Sequence, residues 1–193
     1  MDAPAEEAHP CRNTATAMQA PRLSELINII TETHTQGQQL KAVKEAECEG
    51  RWERLRSVMD SGASITVVPP SVGKLYATEA SPASRAGVQY QVANGDELPN
   101  LGQKFLPLVT SEGTTRGMLC QVADVTMALQ SPRALHASGH MVVLNGPNSF
   151  VLNKISGEIN VLEDDGVNYL MDTWIIPPEE LPNYTDPDFH GQQ

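Results

Sequence analysis

Between about residues 57 and 176, turn signals cut the chain into short apolar runs. This punctuation limits the possible folds more than any other feature of the sequence. The turn pairs are Asn94-Gly95, Glu112-Gly113, Asn145-Gly146, Ser156-Gly157 and Asp165-Gly166. Asn-Gly and Asp-Gly are the strongest short hairpin signals, because both central positions of a tight two-residue turn want positive φ. The Val-, Ile-, Leu- and Met-rich runs between them are too short for helices and read as strands at 65–68, 88–93, 105–110, 118–125, 141–144, 150–152, 159–162 and 167–171. Many short strands with frequent turns predict a mostly β domain that closes, or nearly closes, into a barrel. One helical piece is expected inside it, at 131–137. Pro177-Pro178 should end it, since proline cannot donate to a strand ladder.

The flanks have a different texture. Residues 1–21 are rich in Ala, Glu, Pro and Thr without any period, which predicts a disordered arm. Leu23, Leu26, Ile27 and Ile30 fall at helical spacing, so residues 22–56 are expected to form a helical connector interrupted at Gly37. The β domain then spans 57–178, and 179–193 read as an acidic flexible tail. The chain of 193 residues carries a net charge of −11, and the acidity is uneven. From Ile155 onward there are nine acidic residues and neither Lys nor Arg, a pattern typical of a solvated arm.

Composition narrows the function classes. A nucleic-acid binder needs a basic stripe to neutralise phosphates, and the densest basic run here, Arg51, Arg54 and Arg56, is interrupted by Glu53. An aromatic content of 5% offers no stacking surface. No apolar stretch approaches the roughly 20 residues of a spanning helix. The acidic first ten residues lack the apolar core of a secretory signal. Cys11, Cys48 and Cys120 are far apart and odd in number, which fits free thiols rather than a disulfide framework. The expectation is an intracellular, cytoplasmic protein without nucleic-acid or membrane partners.

The residues that carry chemistry are Val58-Met59-Asp60-Ser61-Gly62-Ala63-Ser64, followed by Ile65-Thr66-Val67-Val68. An apolar run delivers an Asp, a small-residue loop turns beneath it, and an apolar strand leaves. Peptide hydrolysis by carboxylates uses two Asp side chains that share one proton. One acts as base toward a water, and the other donates a hydrogen bond to the substrate carbonyl. Gly62 is expected to let the backbone turn sharply under the Asp, and the Ser61 hydroxyl to bond across the loop and hold the carboxylate. A bare Asp-Ser/Thr-Gly triplet arises by chance in about one in ten chains of this length. It gains weight from the strands around it.

The sequence resembles the retropepsin-like aspartic proteases, in particular those of copia-type retrotransposon polyproteins. Asp60-Ser61-Gly62-Ala63 matches the family's catalytic loop, and Tyr90-Gln91-Val92-Ala93-Asn94-Gly95-Asp96 looks like its flap hairpin. Leu101-Gly102 looks like the strand position after the flap. Val122–Val125, Leu129-Gln130-Ser131-Pro132-Arg133-Ala134-Leu135 and Ser138-Gly139-His140-Met141-Val142-Val143-Leu144 are similar, in order, to the downstream segments of the copia type. Ser149-Phe150-Val151 and 166–172 extend the likeness over about residues 57–176. The resemblance implies an acid-protease half-barrel. It implies endopeptidase activity with Asp60 as the catalytic residue and Ser61, Gly62 and Ala63 as the active-site loop. Ala93, Asn94, Gly95 and Asp96 would form a flap over a peptide or polyprotein substrate bound as an added strand. No metal or organic cofactor is implied. Asp96, Asp124, Asp164, Asp165, Asp172, Asp186 and Asp188 are not followed by Ser/Thr-Gly, so a working dyad needs two copies of Asp60 and hence a homodimer.

The pattern departs from the family in two places. Arg51, Glu53, Arg54 and Arg56 stand where an apolar strand should enter the catalytic loop, so that strand is expected to be missing or replaced by the 22–56 helix. Pro132 stands where Val is common. These departures motivate an alternative reading, a catalytically inactive interaction module or transposon remnant on the same fold. A plain β-barrel peptide binder without protease ancestry is a third. His136 and His140 have the i, i+4 spacing of a metal pair, but Gly139 breaks the helix that would align them and no further ligand completes a set. Asp164-Asp165-Gly166 offers a turn rather than the alternating oxygen ligands of a calcium loop.

Overall fold

The computed structural model describes residues 52–92 and 95–183. Six strands form a closed ring: β1 (Glu53–Met59), β7 (Ala128–Gln130), β2 (Val67–Val68), β6 (Thr115–Val122), β5 (Gly102–Thr110) and β12 (Tyr169–Ile175). β12 returns to β1 in an antiparallel register from Glu53↔Ile175 to Val58↔Leu170, so the ring has no open edge. β11 (Glu163–Asp164) adds to the outside of β12. The described residues are therefore mostly β, with a six-stranded barrel and few helices, as the turn-and-run punctuation predicts.

Alternation decides which side chains enter the barrel. Leu55 from β1, Leu106 and Leu108 from β5, Met118, Cys120 and Val122 from β6, and Ile175 from β12 all point inward, and they pack with Val68 and Ala128. Leu106 is completely buried, as are Val68 and Ile176. Lys104 also points inward and is 3% exposed. Its ammonium donates to the carbonyls of Pro70, Val72 and Gly73 at 3.2, 2.7 and 3.3 Å. A buried cation is tolerated only with such partners, and here they fasten the segment after β2 to the barrel.

A second sheet, β10 (Ile159–Val161), β9 (Phe150–Asn153) and β8 (His140–Val143), packs against the barrel around Met59 and Met171. Leu135 of helix α2 (Pro132–Ala137) joins that cluster. A separate hairpin pairs β3 (Gln89–Gln91) with β4 (Glu97–Pro99), next to the short helix α1 (Pro82–Arg85). Trp52, Val109, Trp174 and Ile176 form a third cluster, with Leu181 packed against it.

Several expectations are corrected. Residues 53–56 are not helix but the first half of β1. Two of the charges that argued against a strand lie on its outer side: Arg54 and Arg56 are exposed and alternate with the buried Leu55, Ser57 and Met59, while Glu53, at the strand's start, accepts from Gly73 N at 2.9 Å. Arg54 donates to both carboxylate oxygens of Asp172 on the neighbouring strand, Nε to Oδ1 at 3.1 Å and an Nη to Oδ2 at 2.9 Å, and Arg56 pairs with Glu163 at 2.5 Å. Cross-strand ion pairs thus replace apolar contacts on that face. The tail is corrected too: Leu181–Asn183 form a 3-10 turn rather than a loose segment. Finally, among the described residues no non-glycine has positive φ, whereas Gly113, Gly146, Gly157 and Gly166 do. The turns therefore use one left-handed glycine each, rather than two positive-φ residues. The expectations for 1–51 and 184–193 lie outside the described residues.

Candidate active site

Asp60 lies where three strands meet. β1 delivers it, β2 carries the chain away, and β7 is inserted between the two, parallel to β1 through Met59↔Gln130 and antiparallel to β2 through Val67↔Leu129. The ladder continues one step past β1, because the Asp60 amide donates to Gln130 O at 3.0 Å. Asp60 therefore sits on a paired strand end and is half-buried.

The loop is held by its own backbone. Ala63 N donates to Asp60 O at 3.1 Å, which closes a turn. Gly62 N donates to Asp60 Oδ1 at 2.8 Å. This bond does the work expected of the Ser61 hydroxyl, and Ser61 is exposed. The reason for glycine at 62 also differs from the expected one. Its φ is not positive, but a Cβ there would lie 3.2 Å from Asp60 Oδ1. Glycine here leaves room for the close amide–carboxylate contact rather than serving the handedness of the turn; a larger residue would press on Asp60 Oδ1.

Two further residues brace the loop. Ser131 is fully buried; its Oγ donates to Ala63 O at 2.7 Å and accepts from Ala134 N at 3.2 Å, so one hydroxyl both clamps the loop and caps α2. Thr66 Oγ1 accepts from Ser131 N at 3.3 Å, and Thr66 O accepts from Gln121 N at 2.9 Å. The sequence signal for the cap was present in Ser131-Pro132, a helix-starting pair. Its reach to Ala63, 68 residues away, was not.

Of the expected flap residues, Ala93 and Asn94 lie outside the described residues. Gly95 has φ 91° and donates from its N to Val92 O at 2.9 Å, and Asp96 O accepts from Val92 N at 2.9 Å. The hairpin is rooted at Asn100, which is 7% exposed. Its Nδ2 lies 2.6 Å from Tyr90 Oη, 2.9 Å from Gln121 Oε1 and 3.5 Å from Ser81 Oγ, and its Oδ1 accepts from Gly102 N at 2.8 Å. Hairpin and loop thus share a barrel strand, β6. Gln121 meets Asn100 through its side chain and Thr66 through its amide.

Other chemistries find less support. Cys120 is buried, and burial pushes its thiol up to about 12, which leaves almost no thiolate for nucleophilic attack at neutral pH. Among the described residues no group of three or more His, Cys, Asp and Glu side chains is placed to hold a metal ion. His140 is buried with Ser138 Oγ 3.1 Å from its Nδ1, and it is held below the usual histidine range by burial and by the neighbouring Arg116. Among the described residues no helix is long and apolar enough to cross a membrane. The chain matches no protein-family model, no curated protein and no solved structure.

Proposed function

We propose that this chain is an aspartic endopeptidase of the retropepsin type that works as a homodimer, with one Asp60 from each subunit. The observation that carries this reading is the Asp60 loop. A half-exposed carboxylate stands at a paired strand end, is oriented by the Gly62 amide, and lies in a loop braced by the buried Ser131. A group that must exchange a proton repeatedly needs such fixed placement together with access to water.

In the dimer the two carboxylates share one proton, because like charges at contact distance cannot both ionise easily. The ionised Asp60 draws a proton from a water, the water oxygen attacks the peptide carbonyl, and the protonated Asp60 donates its hydrogen bond to the carbonyl oxygen. The proton drawn from the water then passes to the leaving nitrogen as the C–N bond breaks and the carbonyl re-forms, which returns the dyad to its singly protonated state. The β3–β4 hairpin would cover an extended peptide, by analogy with the family the motif resembles. A polyprotein substrate and a transposon origin follow from that resemblance alone.

The inactive-module reading rested on a missing or helical approach to Asp60. β1 is a strand that pairs with β12 over 53–58 and with β7 over 57–59, which removes the motive of a missing or helical approach; the charges of Arg54 and Arg56 and the proline at 132 remain as departures from the family pattern. The test is cleavage of a peptide library by the wild type and Asp60→Asn, with sedimentation in parallel. The expected outcome is pH-dependent cleavage lost in the variant and a concentration-dependent dimer. Equal turnover by both proteins sinks the assignment, and cleavage by a strictly monomeric protein sinks the dimer.

A further inference from the structure

The β3–β4 hairpin pairs only with itself among the described residues, as a two-stranded sheet. Two strands alone are marginal in water, so the position of this hairpin depends on its root. The root is Asn100, immediately after β4. Asn100 N donates to Val88 O at 3.1 Å, just before β3, and Leu101 N donates to Val122 O at 2.8 Å on the barrel. The side chain makes the crossing between them. Tyr90, from the middle of β3, presents its hydroxyl to Asn100 Nδ2 on one side, and Gln121 of β6 presents Oε1 on the other. The amide has two hydrogens for these two near acceptors, while Ser81 Oγ, at 3.5 Å, already accepts from Ser84 N. The chain next to this root has little freedom. Gly102 has φ 137°, and a Cβ there would lie 2.4 Å from Glu79 O, so the backbone passes Asn100 in one fixed course.

We propose that Asn100 is the positioning residue of the hairpin, fixing it to β6 on the side where Gln121 also holds Thr66 and the strand leaving the Asp60 loop. The role in substrate binding rests on the endopeptidase reading; the mechanical role does not. Asn100 touches neither Asp60 nor, in this reading, the reacting atoms. It acts through where it sets Tyr90 and the hairpin.

Two variants of the full chain test this. Asn100→Asp keeps the acceptor for Gly102 N but replaces both donors to Tyr90 and Gln121. Tyr90→Phe removes one partner and leaves the other. Hydrogen exchange is followed at the amides of 89–91 and 97–98 and, as the internal reference, at those of β5 and β6. The expected result in both variants is hairpin exchange faster by about tenfold, the loss of one to two hydrogen bonds, with β5 and β6 unchanged. On a peptide that the wild type cleaves, KM should rise by about the same factor while kcat changes less than about twofold, because covering a substrate contributes to binding rather than to chemistry. Unchanged hairpin exchange in a folded variant overturns the proposal. So does equal acceleration in β5 and β6, which would show a general stabilising role. An unchanged KM with faster hairpin exchange overturns the substrate-positioning part. If the wild type cleaves no peptide, the endopeptidase reading fails, and the exchange data alone decide the role of Asn100.

Discussion

Ser131→Ala should damage the candidate site more than its small size suggests. The side chain is 0% exposed and its hydroxyl serves two partners, Ala63 O at 2.7 Å and Ala134 N at 3.2 Å. Loss of the helix cap costs about 1 kcal/mol. The abandoned Ala63 carbonyl adds about 1 kcal/mol, near the lower limit for an unsatisfied acceptor, because water reaches it. Ala63 is only half-buried, which is why that lower limit applies. The sum is about 2 kcal/mol. Urea unfolding followed by the fluorescence of Trp52 and Trp174 measures it. With a slope of about 2 kcal/mol per molar, the midpoint should fall by about 1 M at unchanged slope. The amides of Gly62 and Ala63, bonded to Asp60 Oδ1 and O, should lose exchange protection together. A midpoint shift under about 0.25 M, or loop amides that exchange as before, would refute the clamp, since the stated bonds could not then carry about 2 kcal/mol.

Other perturbations separate further parts of the argument. Arg54→Met should cost about 3 kcal/mol, because it leaves a buried carboxylate without its bidentate partner, whereas Asp172→Asn should cost about 1, because the exposed arginines rehydrate. The side chains are 1% exposed for Asp172 and 44% for Arg54, so equal costs in urea melts would show that burial asymmetry does not govern the pair. Among the described residues Gln130 Oε1 is buried and has no hydrogen-bond partner, so Gln130→Met should raise stability by about 1 kcal/mol in the same assay, and a loss above that size would reveal an unseen partner. His140 has a folded pKa below its unfolded value of 6.5, since burial and the positive charges of Arg116 and Lys154 oppose protonation. The unfolded chain therefore binds its proton first. The contribution of His140 is complete above about pH 6.5 and declines as pH falls toward the folded pKa. Thermal melts from pH 8 to 5 should show a decline that His140→Gln reduces, and identical profiles would remove His140 as its source.

What could be read in the chain followed from local rules. Turn glycines and short apolar runs determined a mostly β domain, since each hairpin records its own periodicity. Asp60-Ser61-Gly62 marked the loop, and Ser131-Pro132 marked the start of α2 one residue before the helix begins. Four strands were missed in whole or part: β1 before Val58-Met59 for its charges, β4 for the proline within Glu97-Leu98-Pro99, and β7 and β11 for their length of three and two residues.

Only the tertiary structure decided how those pieces serve the site. The sequence of β1 reads as solvated because Arg54 and Arg56 find Asp172 and Glu163 more than a hundred residues away. The carboxylate of Asp60 takes its orientation from a nearby amide, but the loop keeps its shape through Ser131, and the hairpin keeps its place through Asn100 and Gln121. Local propensity is written in neighbouring residues. Ladder closure, ion pairing and hydrogen bonds across long separations depend on which strands become neighbours, and that is settled only when burial of Leu55, Leu106, Val122 and Ile175 closes the barrel.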